Sequence, residues 1–81
     1  MHELSLALSL LDGIEQECRD RALPRVRAVH LRIGAQAGVS VEALRFAYEV
    51  ASADTSLADS RLVVEPAAGR ELEMIGLEVD P

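Results

Sequence analysis

The chain has no lysine, no tryptophan and one cysteine, and its only aromatic side chains are Phe46 and Tyr48. A lone Cys18 forms no internal disulfide and no CxxC pair. It sits on the apolar stripe of a predicted helix and reads as a small core residue rather than a functional thiol. With two aromatics, the core must be aliphatic. Without lysine, all positive side-chain charge other than histidine comes from arginine, and the net charge is −6. Nucleic-acid binding needs clustered cations against phosphate, so no nucleic-acid partner is expected. Arg19, Arg21, Arg25, Arg27 and Arg32 do cluster; they read as a solvated edge, or else as a docking surface for an acidic partner. No stretch of about 18 apolar residues exists, so no membrane span is expected. The start is acidic and lacks the apolar core of a signal peptide, which makes the cytoplasm the expected location.

What is there is enough for one small domain. Eighty-one residues, 49% of them hydrophobic, make a chain that buries only about 60% of its unfolded surface. Stability is expected to be modest unless the domain is stapled or paired. From Glu3 to Ala22, Leu4, Leu8, Leu11, Ile14 and Cys18 recur at helical spacing with Ala7 beside them. Pro24 ends that helix by restricting Leu23. From Arg25 to Ile33 the period changes to two: Val29, Leu31 and Ile33 point one way, and Ala28, His30 and Arg32 the other. Gly34-Ala35-Gln36-Ala37-Gly38 reads as a loop needing unusual backbone angles.

Ser40 is placed to cap a second helix that runs to about Ser52, with Val41, Leu44, Tyr48 and Ala51 inward and Glu42 at the positive dipole end. A short strand from Arg61 to Glu65, a turn at Pro66-Ala67-Ala68-Gly69 and a last strand from about Arg70 to Val79 follow. The last strand has a phase slip. Leu72 and Met74 alternate out of step with Ile75, Leu77 and Val79, and a bulge near Gly76 would realign them. The expected fold is α+β, with two helices on one face of a three-stranded mixed sheet in the order helix, strand, helix, strand, strand. The last two strands look like an antiparallel hairpin.

Catalytic constellations are scarce. There is no nucleophile–base pair and no glycine-rich phosphate loop. His30 reads as a structural histidine, and Glu71 and Glu73 as a solvated face. His2 differs because of its position. The terminal amine, the residue-2 amide and the His2 imidazole can close two fused chelate rings on one metal ion, with the Glu3 amide next in line. Such a nitrogen-rich, square-planar set suits Ni(II) or Cu(II) and is strongly pH-dependent. Glu3 adds negative charge, an oxygen ligand or a hydrogen-bond acceptor. The plainer alternative is a chain that merely begins Met-His, with Glu3 complementing the helix dipole.

Met1-His2-Glu3-Leu4-Ser5-Leu6-Ala7 resembles the opening of the HypA family, nickel-incorporation proteins of hydrogenase and urease maturation. The likeness continues through Val29-His30-Leu31-Arg32-Ile33-Gly34, Gly38-Val39, Glu42 to Ala51, and Gly69-Arg70-Glu71-Leu72-Glu73. The resemblance implies an α+β nickel domain over residues 1–81 that holds Ni(II) with Met1, His2 and Glu3. The family carries a two-CxxC zinc domain between its last two strands; here only residues 66–69 stand at that place, and with Cys18 alone no zinc is expected.

Two readings follow. One is a non-enzymatic Ni(II) carrier serving hydrogenase, or urease, through the maturation GTPase of the pathway or the hydrogenase large subunit. The other is a structural or interaction module with incidental metal binding. In that second reading the chain pairs with itself, for example by a swap through the shortened turn. Monomer and homodimer are both open.

Overall fold

A computed structural model describes residues 2–81; Met1, expected above to contribute to a metal site, lies outside the described residues. The elements are α1 (Glu3–Arg21), β1 (Val26–Gly34), α2 (Val41–Ser52), β2 (Arg61–Ala67) and β3 (Leu72–Val79). Their order and the mixed three-stranded sheet are those expected from the sequence. No helix among the described residues is long and apolar enough to cross a membrane.

Helix α1 ends in a Schellman-type cap with alanine at the left-handed position. Ala22 has φ 48° and ψ 49°. Its N–H reaches Arg19 O, and Leu23 N–H reaches Cys18 O. Glycine is usual there because a Cβ disfavours that conformation. The buried stripe differs from the one expected. Ala7, Leu11 and Ile14 are buried with Cys18 against them, while Leu4 and Leu8 are exposed. At roughly 100° per residue, Ala7, Leu11, Ile14 and Cys18 share one line. Leu4 and Leu8 lie round the flank. The small Ala7 lets the helix settle close to its neighbours, and Leu6 and Leu10 pack the other flank.

Strand β1 is the centre of the sheet. The strand order is β2-β1-β3, with β1–β2 parallel and β1–β3 antiparallel. The hairpin expected of the last two strands is therefore not formed, because β1 lies between them. Burial explains the arrangement. Six of the nine β1 residues are buried, against one of seven in β2 and none of eight in β3. The most buried strand gains most from having both edges paired, since unpaired backbone groups there would lack water. Pro66 belongs to β2 rather than to a turn and stands opposite Ile33. An edge strand tolerates a residue without an N–H.

The β2–β3 link has to pass across the end of β1, and it does so closely. Gly34 N–H donates to Glu71 O at 2.7 Å, Ala35 N–H to Ala67 O at 2.8 Å and Gln36 N–H to Gly69 O at 2.8 Å. A Cβ on Gly34 would land on the Gly69 carbonyl. Gly34, the last residue of β1, and Gly38 in the loop thus serve different needs. Gly34 admits another backbone, and Gly38 takes a positive φ of 72°.

The phase slip in β3 resolves as expected. The pairing passes from His30↔Gly76 to Leu31↔Met74, leaving Ile75 as the extra residue. Leu72 and Met74 thereby return to the face that carries Leu77. On that face Val29, Leu31, Ile33 and Leu62, with Leu77 half-buried against them, meet Ala7, Leu11 and Ile14 of α1 and Leu44, Ala47 and Tyr48 of α2 in one core, while Leu72 and Met74 remain exposed. Both helices run opposite to β1, so they lie side by side and parallel, with their N-termini at one end.

Gly34→Ala should lower stability by more than about 3 kcal/mol, because the clashing partner is hydrogen-bonded backbone with little freedom to shift. Gly13→Ala, where a Cβ meets nothing within 4 Å, should raise it by roughly 0.5–1 kcal/mol. Urea unfolding of both variants measures the contrast; equal effects would contradict the packing described.

Candidate metal centre

His2 stands just ahead of α1 with φ −97° and ψ 61°, and its side chain makes no capping hydrogen bond to the helix. It is exposed. Its carbonyl oxygen accepts the first helical bond, from Leu6 N–H at 2.9 Å. The first four N–H groups of a helical segment have no partner within it. The amide nitrogens of His2 and Glu3 are therefore outside the helical ladder, and a ligand can use them without breaking a helical bond. The dipole at this end also favours negative charge, including that of a deprotonated amide.

Glu3 is the first residue of α1, and its side chain reaches the other helix. Oε2 accepts the Ser40 N–H at 2.9 Å. Ser40 caps α2 in turn: its Oγ accepts from Ala43 N–H at 3.3 Å and its carbonyl from Leu44 N–H. The start of the chain is thus tied to the start of α2. The backbone N–H of Ser40, and then that of Glu3 itself, hold the Glu3 carboxyl below the usual carboxylate range. Hydrogen bonds to the charged form favour it.

The sequence pointed to Ser40 as a cap and to Glu3 as a dipole partner, but not to their contact. The only signal available was that Glu3 and Ser40 each begin a helix. That becomes adjacency only once both helices are known to run antiparallel to β1.

Among the described residues, no three His, Cys, Asp or Glu side chains come together. What this end can offer a metal ion is one imidazole and backbone nitrogens, with a carboxylate close by.

The remaining candidates are occupied elsewhere. His30 is half-buried, with Nε2 2.9 Å from Glu78 Oε1. Arg32 bridges Glu65 at 3.1 Å and Glu73 at 3.2 Å across all three strands, and Glu65 first, then Glu73, pushes its guanidinium up. Arg21 pairs with Glu17, Arg25 with Asp59 and Arg27 with Asp80, while Arg19 donates to Gln16. Each arginine of the cluster thus has an acceptor within the chain. Cys18 is half-buried against the core. Tyr48, whose phenol is pushed up by burial, lies 2.6 Å from Ser60 Oγ. Ser60 spends its own proton on Leu57 O, so Tyr48 is the donor in that contact.

Comparison with known proteins gives one consistent result. A family model described as hydrogenase/urease nickel incorporation, metallochaperone, hypA, matches residues 1–72. The chain is 43% identical over 65 residues to the hydrogenase maturation factor HypA of Chloroflexus aurantiacus, a match covering 80% of this chain and 57% of that protein. It is 46% identical over 65 residues to the factor of the same name from a Roseiflexus species, covering 80% and 53%. Against the Streptomyces avermitilis factor the identity is 41% over 71 residues, covering 86% and 54%. The matches thus span little more than half the length of these curated relatives.

The depressed Glu3 carboxyl has a pH consequence. A group whose folded pKa lies below its free value, here 4.5, contributes stability that is present above 4.5 and lost as pH falls through the lower folded value. The Glu3–Ser40 contact should therefore persist from neutral pH through 5 and break only in stronger acid. The amide proton shift of Ser40, followed by NMR against pH, reports this. A midpoint at or above 4.5, or no titration in Glu3→Gln and parent alike, would refute the contact.

Proposed function

The chain belongs to the HypA family of hydrogenase/urease nickel-incorporation metallochaperones, and from that premise we propose that it is the nickel-binding domain of such a carrier, with Ni(II) as its cargo. The proposed ligands are the amine of Met1, the amide nitrogen and imidazole of His2, and the amide nitrogen of Glu3. The family is one of maturation factors rather than catalysts, and the role is accordingly carriage, in the cytoplasm, without a chemical step. The observation that carries this reading is the construction of the His2–Glu3 end. It has an exposed imidazole without a capping bond, amides outside the helical ladder, and a carboxylate that ties the segment to Ser40.

The proposed division of labour is specific. Amine, amides and imidazole favour a square-planar nitrogen set, which selects Ni(II) or Cu(II) over metals that prefer oxygen or tetrahedral thiolate. The Glu3 carboxylate, already on the Ser40 amide, positions the segment and adds negative charge beside the ion. Residues 1–81 would form one nickel domain, with residues 66–69 standing where the family's zinc-binding insertion is expected; Pro66 and Ala67 end β2, and Ala68-Gly69-Arg70-Glu71 make the link to β3. One cysteine cannot build a four-thiolate zinc site. The link is long enough for its route, since two strand spacings are about 10 Å and four residues reach roughly 13 Å. The proposed recipients are the GTPase of the nickel-insertion pathway and the hydrogenase large subunit, with urease as a second client.

Calorimetric titration with Ni(II) tests the site. His2→Ala should weaken binding by more than about 100-fold, since removing even a group behind the ligands costs 10–100-fold. One extra residue ahead of Met1 should have a comparable effect by displacing the amine. Intact-mass measurement confirms that Met1 is retained and unblocked. Parent-like affinity in either variant would rule the ligand set out.

A further inference from the structure

Four large apolar side chains stand out on the helix layer: Leu4 and Leu8 on α1, 55% and 50% exposed, and Phe46 and Val50 on α2, 69% and 58% exposed. They are not scattered. Leu6 and Leu10 of α1 border the cavity that contains Met74 of β3, so the opposite flank, with Leu4 and Leu8, turns toward α2. Arg45 and Tyr48 of α2 border the cavity over β2, and Arg45 donates to Leu62 O there. The opposite flank of α2, with Ala43, Ala47 and Val50, turns toward α1, and Phe46 lies next to it on the outer surface. The Glu3–Ser40 contact sets the two parallel helices level at their first residues. At about 1.5 Å per residue, Leu8 and Phe46 then stand within roughly 2 Å of one another along the axis. The four side chains form one strip along the seam between the helices, and it begins two residues after His2.

The charge around the strip has one sign. Asp12 and Glu15 border it on α1, and Glu42 and Glu49 on α2. Residues 2–18 contain no arginine, and the single arginine of α2 is turned to β2. The strip is on the order of 400 Å², the size of the largest apolar patch on a typical monomer, which is often functional. A stable homodimer buries about 800 Å² on each copy, and a second copy would bring the same acids face to face.

We propose that this strip is the docking surface for the protein that exchanges nickel with this domain: a partner presenting an apolar ridge bordered by lysine or arginine side chains, engaged transiently and beside the metal. The inference rests on the carrier reading given above. The chain's only phenylalanine is left in water at this spot because its contact is made in the complex. The acidic rim selects a basic partner and speeds its approach, and the proximity of Leu4 to His2 brings the partner to the ligands.

The test uses the full chain and the purified GTPase of the nickel-insertion pathway. Phe46→Ser combined with Val50→Ser should weaken binding of the metal-free chain to the GTPase by roughly 30-fold or more, the loss expected from removing two central apolar anchors. Raising the salt concentration should weaken parent binding. Ni(II) affinity of the double variant should stay within about twofold of the parent, because neither residue belongs to the site. Unchanged GTPase affinity, or no binding of the parent chain, would overturn the proposal. So would a parent dimer, seen by sedimentation, that the double variant abolishes; that result gives the strip to a second copy. A GTPase contact that survives His2→Ala while Ni(II) binding does not would support docking and ligation as separate properties. Loss of Ni(II) binding in the double variant would count against the proposal.

Discussion

Both ladders of the sheet run through β1, the one strand paired on both sides. Because it holds both neighbours, the β2–β3 link must cross its end, and it crosses at Gly34, where a side chain would meet Gly69. Three backbone hydrogen bonds then fix Gly34, Ala35 and Gln36 to the link. The segment so fixed leads within a few residues to Ser40, which caps α2 and gives its N–H to Glu3. The position of the chain's first residues is thereby set by a sheet crossing some 30 residues away in sequence. The same geometry makes the helices parallel. A strand flanked by two helices, each joined to it by a short connection, has both helices antiparallel to itself.

Much of this was legible from the sequence. Periods of 3.6 and 2 located the five elements, and the slip between Met74 and Ile75 announced a bulge that does fall there. The sheet order was not legible. Arg61 to Val79 has the local pattern of a hairpin, and only the competition for partners around β1 decides otherwise. That competition depends on burial along the whole strand, down to Ala28 on the outer face, which no window of a few residues reports. The buried stripe of α1 was misplaced for a related reason. Leu4 and Leu8 fit helical spacing with Leu11, but spacing gives a stripe its period and not its centre. The small Ala7 is what approaches the core. The ligand set Met1, His2 and Glu3 is a proposal from chelate geometry and family resemblance, whereas the Glu3–Ser40 contact could not be read from the sequence, because it joins two helix starts 37 residues apart.

The two layers of the fold use charge differently. On the open face of the sheet, Arg32 lies between Glu65 and Glu73, and His30 meets Glu78. Exposed pairs of this kind contribute only about 0–1 kcal/mol each. Their greater effect is on register, because a one-residue slip would set Arg32 against Val64 or Pro66 on β2 and Leu72 or Met74 on β3, losing both partners. They also occupy the arginines of β1, so the sheet face has little cationic surface left for an acidic partner. The helix layer differs around its exposed apolar side chains, which acids border; Arg19 and Arg21 lie in the last turn of α1, and Arg45 is turned to β2.

A carrier must hold its ion and also let it go, which bears on why the site would lie at a chain start rather than in a cage. A structural zinc cluster contributes folding energy, so losing the metal unfolds the domain. Here the folded core is complete in Ala7, Leu11, Ile14 and the residues they meet, and none of the proposed ligands belongs to it. The amides of His2 and Glu3 make no helical bond that binding would break. The Glu3–Ser40 contact sits at the solvent edge, in a first turn that opens at little cost. Filling or emptying a site there would leave the fold intact, and ion transfer would then depend on what approaches the end of α1.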